Sequence, residues 1–132
     1  MTNGVINPSP TRSPNQFSGE KSSTTPVVSA NGTNAGIVWA VDSSTYASSS
    51  PAVLHAYNAT NVAEELYNSS QLSRDNPGSA VKLTAPTVAN GKVYMGLQYK
   101  LSVFGPGHLC GRPGDFPQRR CLHEFSHRHF EP

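Results

Sequence analysis

The chain has 132 residues, a formal net charge of +2, eleven glycines and eleven prolines. This length allows one domain at most. The small net charge and the lack of any run of roughly 20 apolar residues predict neither nucleic-acid binding nor a membrane span. The N-terminal sequence has no basic start followed by an apolar core, so no signal peptide is predicted. Few Lys and Glu residues beside many Ser, Thr and Asn residues favour an extracytoplasmic parent protein, periplasmic or secreted.

The first segment, residues 1–23, is rich in Pro, Ser, Thr and Asn. Pro8, Pro10 and Pro14 each lack the backbone donor that a helix or a central strand uses. Because the segment has few apolar side chains to bury, it is predicted to be a loop or a disordered N-terminal tail.

The second segment, residues 24–105, carries the strand signals. Residues 36–42 are almost continuously apolar, as in a strand that is covered on both faces. Asn90-Gly91 lies between two apolar runs and predicts a two-residue hairpin turn, because both central positions of that turn require positive φ. Seven strands are predicted: residues 25–30, 36–42, 52–58, 62–68, 84–89, 92–97 and 101–104.

These strands form two copies of one unit. Each copy has a Pro-led strand, an Asn-Gly turn, an aromatic-bearing strand and a strand that ends on an aromatic residue. A repeated three-strand unit is typical of β-propeller blades, which cannot bury both of their faces alone. The alignment pairs Pro26 with Pro86, Val28 with Val88, Asn31-Gly32 with Asn90-Gly91, Val38-Trp39 with Val93-Tyr94, and residues 54–57 with residues 101–104.

The first copy contains an insertion. Val38 and Leu54 are 16 positions apart, whereas Val93 and Leu101 are 8 apart. The extra residues lie around Ser43–Pro51, in the second hairpin of the copy. Insertions in repeat proteins often fall on the binding face, so this loop is the predicted site of an unknown ligand or protein. A tolerated surface insertion is the alternative.

The third segment, residues 106–132, contains both cysteines and four of the five histidines. Strand periodicity ends at Phe104-Gly105, so an irregular, disordered C-terminal tail is predicted. We hypothesise that the domain ends near Gly105 and that the tail is a read-through, shifted-frame or fused extension. The other two reading frames of the coding DNA across residues 105–132 test this hypothesis, which loses its support if neither frame extends the strand pattern or meets a nearby stop.

The tail contains the sequence His123-Glu124-Phe125-Ser126-His127. On a helix this spacing puts two imidazoles on one face to bind Zn²⁺, with the Glu as general base. Five residues then remain, which is too few to supply a third ligand on a suitable element. A looser zinc site of Cys110, Cys121, His123 and His127 has suitable ligand chemistry but no usual spacing. The pairing of Cys110 with Cys121 in a disulfide stays open.

The sequence LHAYNATNVAEELYNSSQ, residues 54–71, resembles the repeat of quinoprotein-like β-propellers of the pyrroloquinoline-quinone type. In that repeat one strand ends in Ala, an aromatic or Leu, and Asp, and the next ends in a bulky aromatic. Ala56-Tyr57-Asn58 and Leu66-Tyr67 occupy these places, with Asn58 where the family usually has Asp and Tyr67 where it usually has Trp. The sequence APTVANGKVYMG, residues 85–96, resembles the start of the next blade.

The resemblance covers residues 24–105 and implies an all-β fold, in which antiparallel blades form part of an incomplete β-propeller between two tails. It is greatest to the closing end of large bacterial proteins, so the chain is expected to be a fragment of about one and a half blades. The implied function is a non-catalytic structural or binding module, whose partners are the remaining propeller blades of a parent chain. The alternative is a fragment of a quinoprotein-type dehydrogenase.

The catalytic apparatus of quinoprotein dehydrogenases does not carry over. Those enzymes hold Ca²⁺ with acidic and amide side chains, and many place an adjacent Cys pair against the cofactor, whereas this chain has no adjacent cysteines. Glu64 and Glu65 are neighbours on a predicted strand, so they point to opposite faces and cannot share a metal. Asp42 is expected to start a turn, and Asp75 is the remaining acid. No catalytic, cofactor-binding or metal-binding residue and no cofactor are therefore predicted.

Overall fold

The computed structural model describes residues 9–17 and 24–105. The first and last residues of each strand lie within three positions of those predicted from the sequence. The elements are β1 (Val27–Asn31), β2 (Asn34–Asp42), β3 (Val53–Asn58), β4 (Asn61–Asn68), β5 (Thr87–Ala89), β6 (Lys92–Leu97) and β7 (Lys100–Phe104), with single 3₁₀ turns at Tyr46–Ser48 and Ser73–Asp75.

The strands form two antiparallel sheets, each with its strands side by side in chain order. Sheet 1 has the order β1-β2-β3-β4, and sheet 2 has the order β5-β6-β7. Every ladder in both sheets is antiparallel. The prediction of an all-β, antiparallel fold is therefore confirmed for the described residues.

The pairing registers show that sheet 2 repeats the first three strands of sheet 1. Val38 lies opposite Tyr57 in sheet 1, and Val93 lies opposite Phe104 in sheet 2. These are the positions that the sequence alignment equates. The neighbouring pairs agree as well: Val28 with Val38 and Val88 with Val93, Trp39 with Ala56 and Tyr94 with Val103, Val41 with Leu54 and Gly96 with Leu101.

The two sheets stack face to face around one apolar core. Successive side chains of a strand point to opposite faces. We call the face of each sheet that carries Leu54, or its equivalent Leu101, the leucine face, and the opposite face, with Val38 or its equivalent Val93, the valine face. The core joins the leucine face of sheet 1 (Trp39, Val41, Leu54, Ala56) to the valine face of sheet 2 (Val93, Met95, Leu97, Phe104).

Burial in this core is complete at its centre. Leu54, Met95 and Phe104 have no exposed surface. Each such side chain stabilises the fold by roughly 1.5–3 kcal/mol through removal from water. The core thus buries the leucine face of sheet 1 and the valine face of sheet 2. The valine face of sheet 1 and the leucine face of sheet 2 lie outside it.

The β5–β6 hairpin has the turn that the sequence predicts. Asn90 and Gly91 are its central residues, and both have positive φ, at 50° and 70°. The flanking residues Ala89 and Lys92 pair across the turn. A two-residue turn of this kind matches the right-handed twist of the strands that it joins.

The prediction that Asn31-Gly32 forms an equivalent turn is wrong. Asn31 itself pairs with Asn34, so the central residues are Gly32 and Thr33. Only Gly32 of these two has positive φ, because the β-branched Thr33 strongly disfavours that region. The ladder also shifts register between Ser29 and Asn31, which makes the first hairpin longer than the second.

Candidate functional site

The leucine face of sheet 2 is accessible apolar surface. Leu101 is 55% exposed, and Tyr94 and Val103 are half-buried. Their equivalents in sheet 1 are all core residues: Trp39, Leu54 and Ala56. The same face of the repeat is thus covered in sheet 1 and open in sheet 2.

Residues 9–17, which we call the strap, cover the part of the valine face of sheet 1 that β3 and β4 form, whereas Val28 at the β1 edge of that face is 63% exposed. The strap contains no helix or strand. The ring of Phe17 stands edge-on to the imidazole of His55, with centroids 5.2 Å apart. Asn15 Nδ2 donates a 2.7 Å hydrogen bond to Glu65 Oε1 and a 3.0 Å bond to the Tyr57 hydroxyl. Part of the predicted N-terminal loop or tail therefore lies against the sheet.

A polar cluster lies beneath the strap. His55 Nδ1 is 2.6 Å from Glu65 Oε1, and the two side chains are 6% and 22% exposed. The Tyr57 ring stacks parallel to the imidazole at 5.9 Å. Asn68 Nδ2 lies 3.4 Å from the same Glu65 oxygen, and Asn15 Nδ2 lies 3.4 Å from His55 Nδ1. A polar group that loses its water needs such partners, because an unpaired buried group destabilises the fold.

The cluster changes the acidity of one phenol. Burial is the main cause that raises the pKa of Tyr57, and the Glu65 carboxylate raises it further. The hydrogen bond from Asn15 acts in the opposite direction and only partly offsets these effects. The Tyr57 hydroxyl therefore stays protonated and serves as an acceptor for the Asn15 amide.

A second polar contact supports the far edge of sheet 1. The Tyr67 hydroxyl donates a 3.0 Å hydrogen bond to Oδ2 of Asp75, which is 2% exposed. Burial raises the pKa of Tyr67 well above its ordinary value, and the nearby Asp75 carboxylate adds to the rise. The Tyr67 ring also packs edge-on to Phe104. This contact anchors β4 to the 3₁₀ turn and to sheet 2.

The acids considered in the sequence take separate roles. Asp42 Oδ1 accepts a 2.9 Å bond from the Ser44 amide, so Asp42 starts a turn as expected. Glu64 Oε2 accepts from Asn58 Nδ2, whereas Glu65 belongs to the polar cluster. Within the described ranges, no three His, Cys, Asp or Glu side chains are grouped to hold a metal ion.

The Ser43–Pro51 loop is tied to the segment that connects the sheets. The Ala80 amide donates to Ser50 O, and the Ser79 hydroxyl donates to Ser49 O. Pro51 and Ser79 form a β-bridge. The loop therefore has a fixed base, although several of its side chains are exposed.

A small cavity opens beside this loop, with a volume of about 190 Å³. Sites for small molecules usually have roughly 300–1,000 Å³. The cavity does not include the polar cluster. Its lining residues are Pro51, Ala52, Val53, Ser69, Ser70, Leu72, Ser73, Asn76 and Pro77.

The remaining candidates lie outside the described residues. They are the sequence His123-Glu124-Phe125-Ser126-His127 and the two cysteines, Cys110 and Cys121. The polar cluster itself was missed in the sequence. His55 and Glu65 are ten positions apart on different strands, so no local pattern links them. The one signal in the sequence was a polar His55 on a strand that is otherwise mostly apolar.

The helical part of the described chain consists of two single 3₁₀ turns, and no helix there is long and apolar enough to cross a bilayer. Comparisons with protein-family models, with curated proteins and with solved structures give no match for this chain.

Proposed function

We propose that the chain is a non-catalytic structural or binding module of a larger protein, built from quinoprotein-like propeller blades. Its leucine face on sheet 2 binds the valine face of a further sheet from the remaining blades of the parent chain. The observation that carries this proposal is the exposure of Leu101 at a position equivalent to the fully buried Leu54.

The direction of stacking supports the proposal. When the leucine face of one sheet packs on the valine face of the next, the stack keeps one free leucine face and one free valine face. Further sheets can therefore add at both ends until the stack closes into a ring or a cap covers an end. Here the free face at one end is the leucine face of sheet 2. At the other end, the strap occupies the β3–β4 part of the valine face of sheet 1. Growth of the stack is therefore expected on the side of sheet 2.

The Ser43–Pro51 loop belongs to the same proposal as a second surface. Thr45 and Ser48 are exposed at its tip, where a partner of the parent protein reaches them. The Thr45 hydroxyl donates to Pro51 O, and the Ser48 hydroxyl donates to Thr45 O, which holds the loop in one shape. A preformed loop loses little entropy on binding.

A chain with one more repeat tests the stacking proposal. A second copy of residues 59–105, which begins with β4, is inserted between Gly105 and Pro106, because Gly105 is equivalent to Asn58 and β4 leads from there into the linker between the sheets. The valine face of the inserted sheet then meets the open leucine face. The expected result is a melting temperature several degrees higher, since each added kcal/mol raises it by about 4–8 °C in a domain of this size. The matched control carries Leu101→Asp in the first copy only and is expected to lose the gain. An unchanged melting temperature in the extended chain contradicts the proposal.

Ligand titration separates this function from the enzyme alternative. Thermal shift of the full chain is measured with Zn²⁺, with Ca²⁺, and with Ca²⁺ plus pyrroloquinoline quinone. The proposal expects no shift with any of them, because a ligand stabilises the fold only in proportion to its binding. A saturable shift with the quinone favours the dehydrogenase fragment, and one with Zn²⁺ alone favours a zinc-binding tail.

A further inference from the structure

The strap is held on sheet 1 by the side chains of two of its residues, Asn15 and Phe17. Asn15 Nδ2 bonds to Glu65 Oε1 and to the Tyr57 hydroxyl, 50 and 42 positions away in the chain. Ser13 Oγ donates a 2.8 Å bond to Asn15 O, which fixes the backbone next to the carboxamide. Phe17 adds its edge-on contact with His55. Two side chains, two positions apart, thus hold an otherwise irregular segment on the sheet.

The surface under the strap selects a carboxamide. A carboxylate such as Glu65 accepts hydrogen bonds only, and the Asn side-chain NH₂ group has two hydrogens to donate. These match the two short contacts at 2.7 and 3.0 Å. An Asp in place of Asn15 has no donor and places a second negative charge against Glu65, which disfavours binding.

The equivalent face of sheet 2 lacks this chemistry. Ser102 and Phe104 stand where sheet 1 has His55 and Tyr57, and within residues 24–105 sheet 2 has no fourth strand to supply a counterpart of Glu65. Phe104 is buried in the core against sheet 1. The polar set is therefore not a general feature of the repeat. An apolar sheet stacked on it leaves its polar groups without partners, which is costly.

From these contacts we infer that the valine face of sheet 1 is a peptide-binding site. Its ligand class is an extended segment of the pattern Ser-x-Asn-x-Phe, and residues 13–17 occupy it as a ligand supplied by the chain itself. The contact is a separable binding reaction, so the same peptide binds in trans when the strap is displaced. This inference does not depend on the proposed stacking function, because the two use different sheets and opposite faces.

A titration with the strap peptide tests the inference. The receptor is the full-length, isotope-labelled chain with Asn15→Asp and Phe17→Ala, which vacates the site, and the probe is the synthetic peptide of residues 9–17, SPTRSPNQF. The expected result is saturable shifts of the amide signals of β3 and β4. A peptide with Asn15→Asp is expected to bind at least tenfold more weakly, whereas one with Gln16→Glu, which adds the same charge at an exposed neighbour, is expected to bind normally.

The unmodified chain supplies a competition control. Its own strap is tethered by six residues, which gives an effective concentration on the order of millimolar. The free peptide is therefore expected to bind the unmodified chain several-fold more weakly than the vacated one. The inference is overturned if the peptide leaves β3 and β4 unshifted in a vacated chain that keeps its native spectrum. It is also overturned if both charge-altered peptides bind equally well.

A second measurement does not need a vacated site. A spin label is attached at Thr11→Cys in a full chain whose cysteines are replaced by Cys110→Ser and Cys121→Ser. Broadening of the His55 and Glu65 signals is expected, and Asn15→Asp in this chain is expected to remove it, whereas Gln16→Glu is not. The inference is overturned if the spin-labelled chain with Asn15 intact shows no broadening of these signals, or if the broadening survives Asn15→Asp.

Discussion

Leu54 and Leu101 occupy equivalent positions in the two sheets, yet Leu54 is fully buried and Leu101 is 55% exposed. Each pairs with an equivalent residue on the preceding strand, Val41 in sheet 1 and Gly96 in sheet 2. The difference in burial therefore does not come from a different register. It arises because sheet 2 covers the leucine face of sheet 1, whereas the same face of sheet 2 stays accessible.

Truncation of these two leucines is expected to have very different effects. Leu54→Ala leaves a cavity in the core and should reduce the free energy of unfolding by about 2–5 kcal/mol. Leu101→Ala removes a side chain that is already half in water, so its cost should stay below about 1 kcal/mol. Urea unfolding followed by circular dichroism measures both values. Equal losses for the two variants would show that Leu101 is covered in the isolated chain.

The Asn90-Gly91 turn depends on the conformation of its glycine. Gly91 has a φ of 70°, and a Cβ there meets no atom within 4 Å. Gly91→Ala is therefore expected to cost about 1 kcal/mol through backbone strain alone. Gly96→Ala is the matched control, since Gly96 also has free space but no positive φ. Thermal melts should separate the two, and a loss at Gly96 as large as that at Gly91 argues against the turn geometry.

The half-buried Tyr67 predicts a loss of stability at alkaline pH. Its pKa in the folded chain lies above the ordinary value of 10.0, so the unfolded chain releases the phenolic proton first as the pH rises. The stabilisation is complete below about pH 10 and is lost as the pH rises through the higher folded pKa. Urea unfolding from pH 8 to 11 should show this decline.

Tyr67→Phe should make that decline shallower. At neutral pH the same variant should cost about 1.5–3 kcal/mol, because it removes a hydrogen bond to the buried carboxylate of Asp75. Tyr99→Phe changes a tyrosine that is 96% exposed and serves as the control. An alkaline decline that is identical in the Tyr67 variant and in its control is the outcome that contradicts the assignment.

The neighbouring acids Glu64 and Glu65 offer a matched test of the strap. Glu65→Gln weakens the charge-assisted bond from Asn15, so the strap should detach more often. Trypsin should then cut the Arg12–Ser13 bond several-fold faster, as mass spectrometry of the fragments can measure. Glu64→Gln alters only an exposed contact with Asn58 and should leave the cutting rate unchanged. Equal rates in both variants would mean that Glu65 does not hold the strap.

Local sequence signals predict much of this fold. Strand positions follow from apolar runs, and the Asn90-Gly91 turn follows from the need for two positive φ values. The equivalence of Val38 with Val93 follows from the repeat and agrees with the ladder registers. The first hairpin was mispredicted, because Asn31-Gly32 looks like the second turn but is followed by a β-branched residue, Thr33.

Contacts between distant residues are not visible in such signals. Asn15 reaches Glu65 across 50 positions, and neither residue carries a periodic or motif pattern. The Pro-rich composition around Asn15 correctly indicates the lack of regular structure but does not indicate the side-chain bonds that hold the segment. The stacking of unlike faces likewise depends on the packing of whole sheets, which the repeat alone does not determine.

The labelling rate of a cysteine at position 101 tests the central claim most directly. Leu101→Cys is introduced, with Cys110→Ser and Cys121→Ser, into the chain and into the version extended by one repeat. The stacking account predicts that the thiol reacts readily in the chain and at least tenfold more slowly in the extended version, because the added valine face covers it. Equal labelling rates in the two versions would contradict the account.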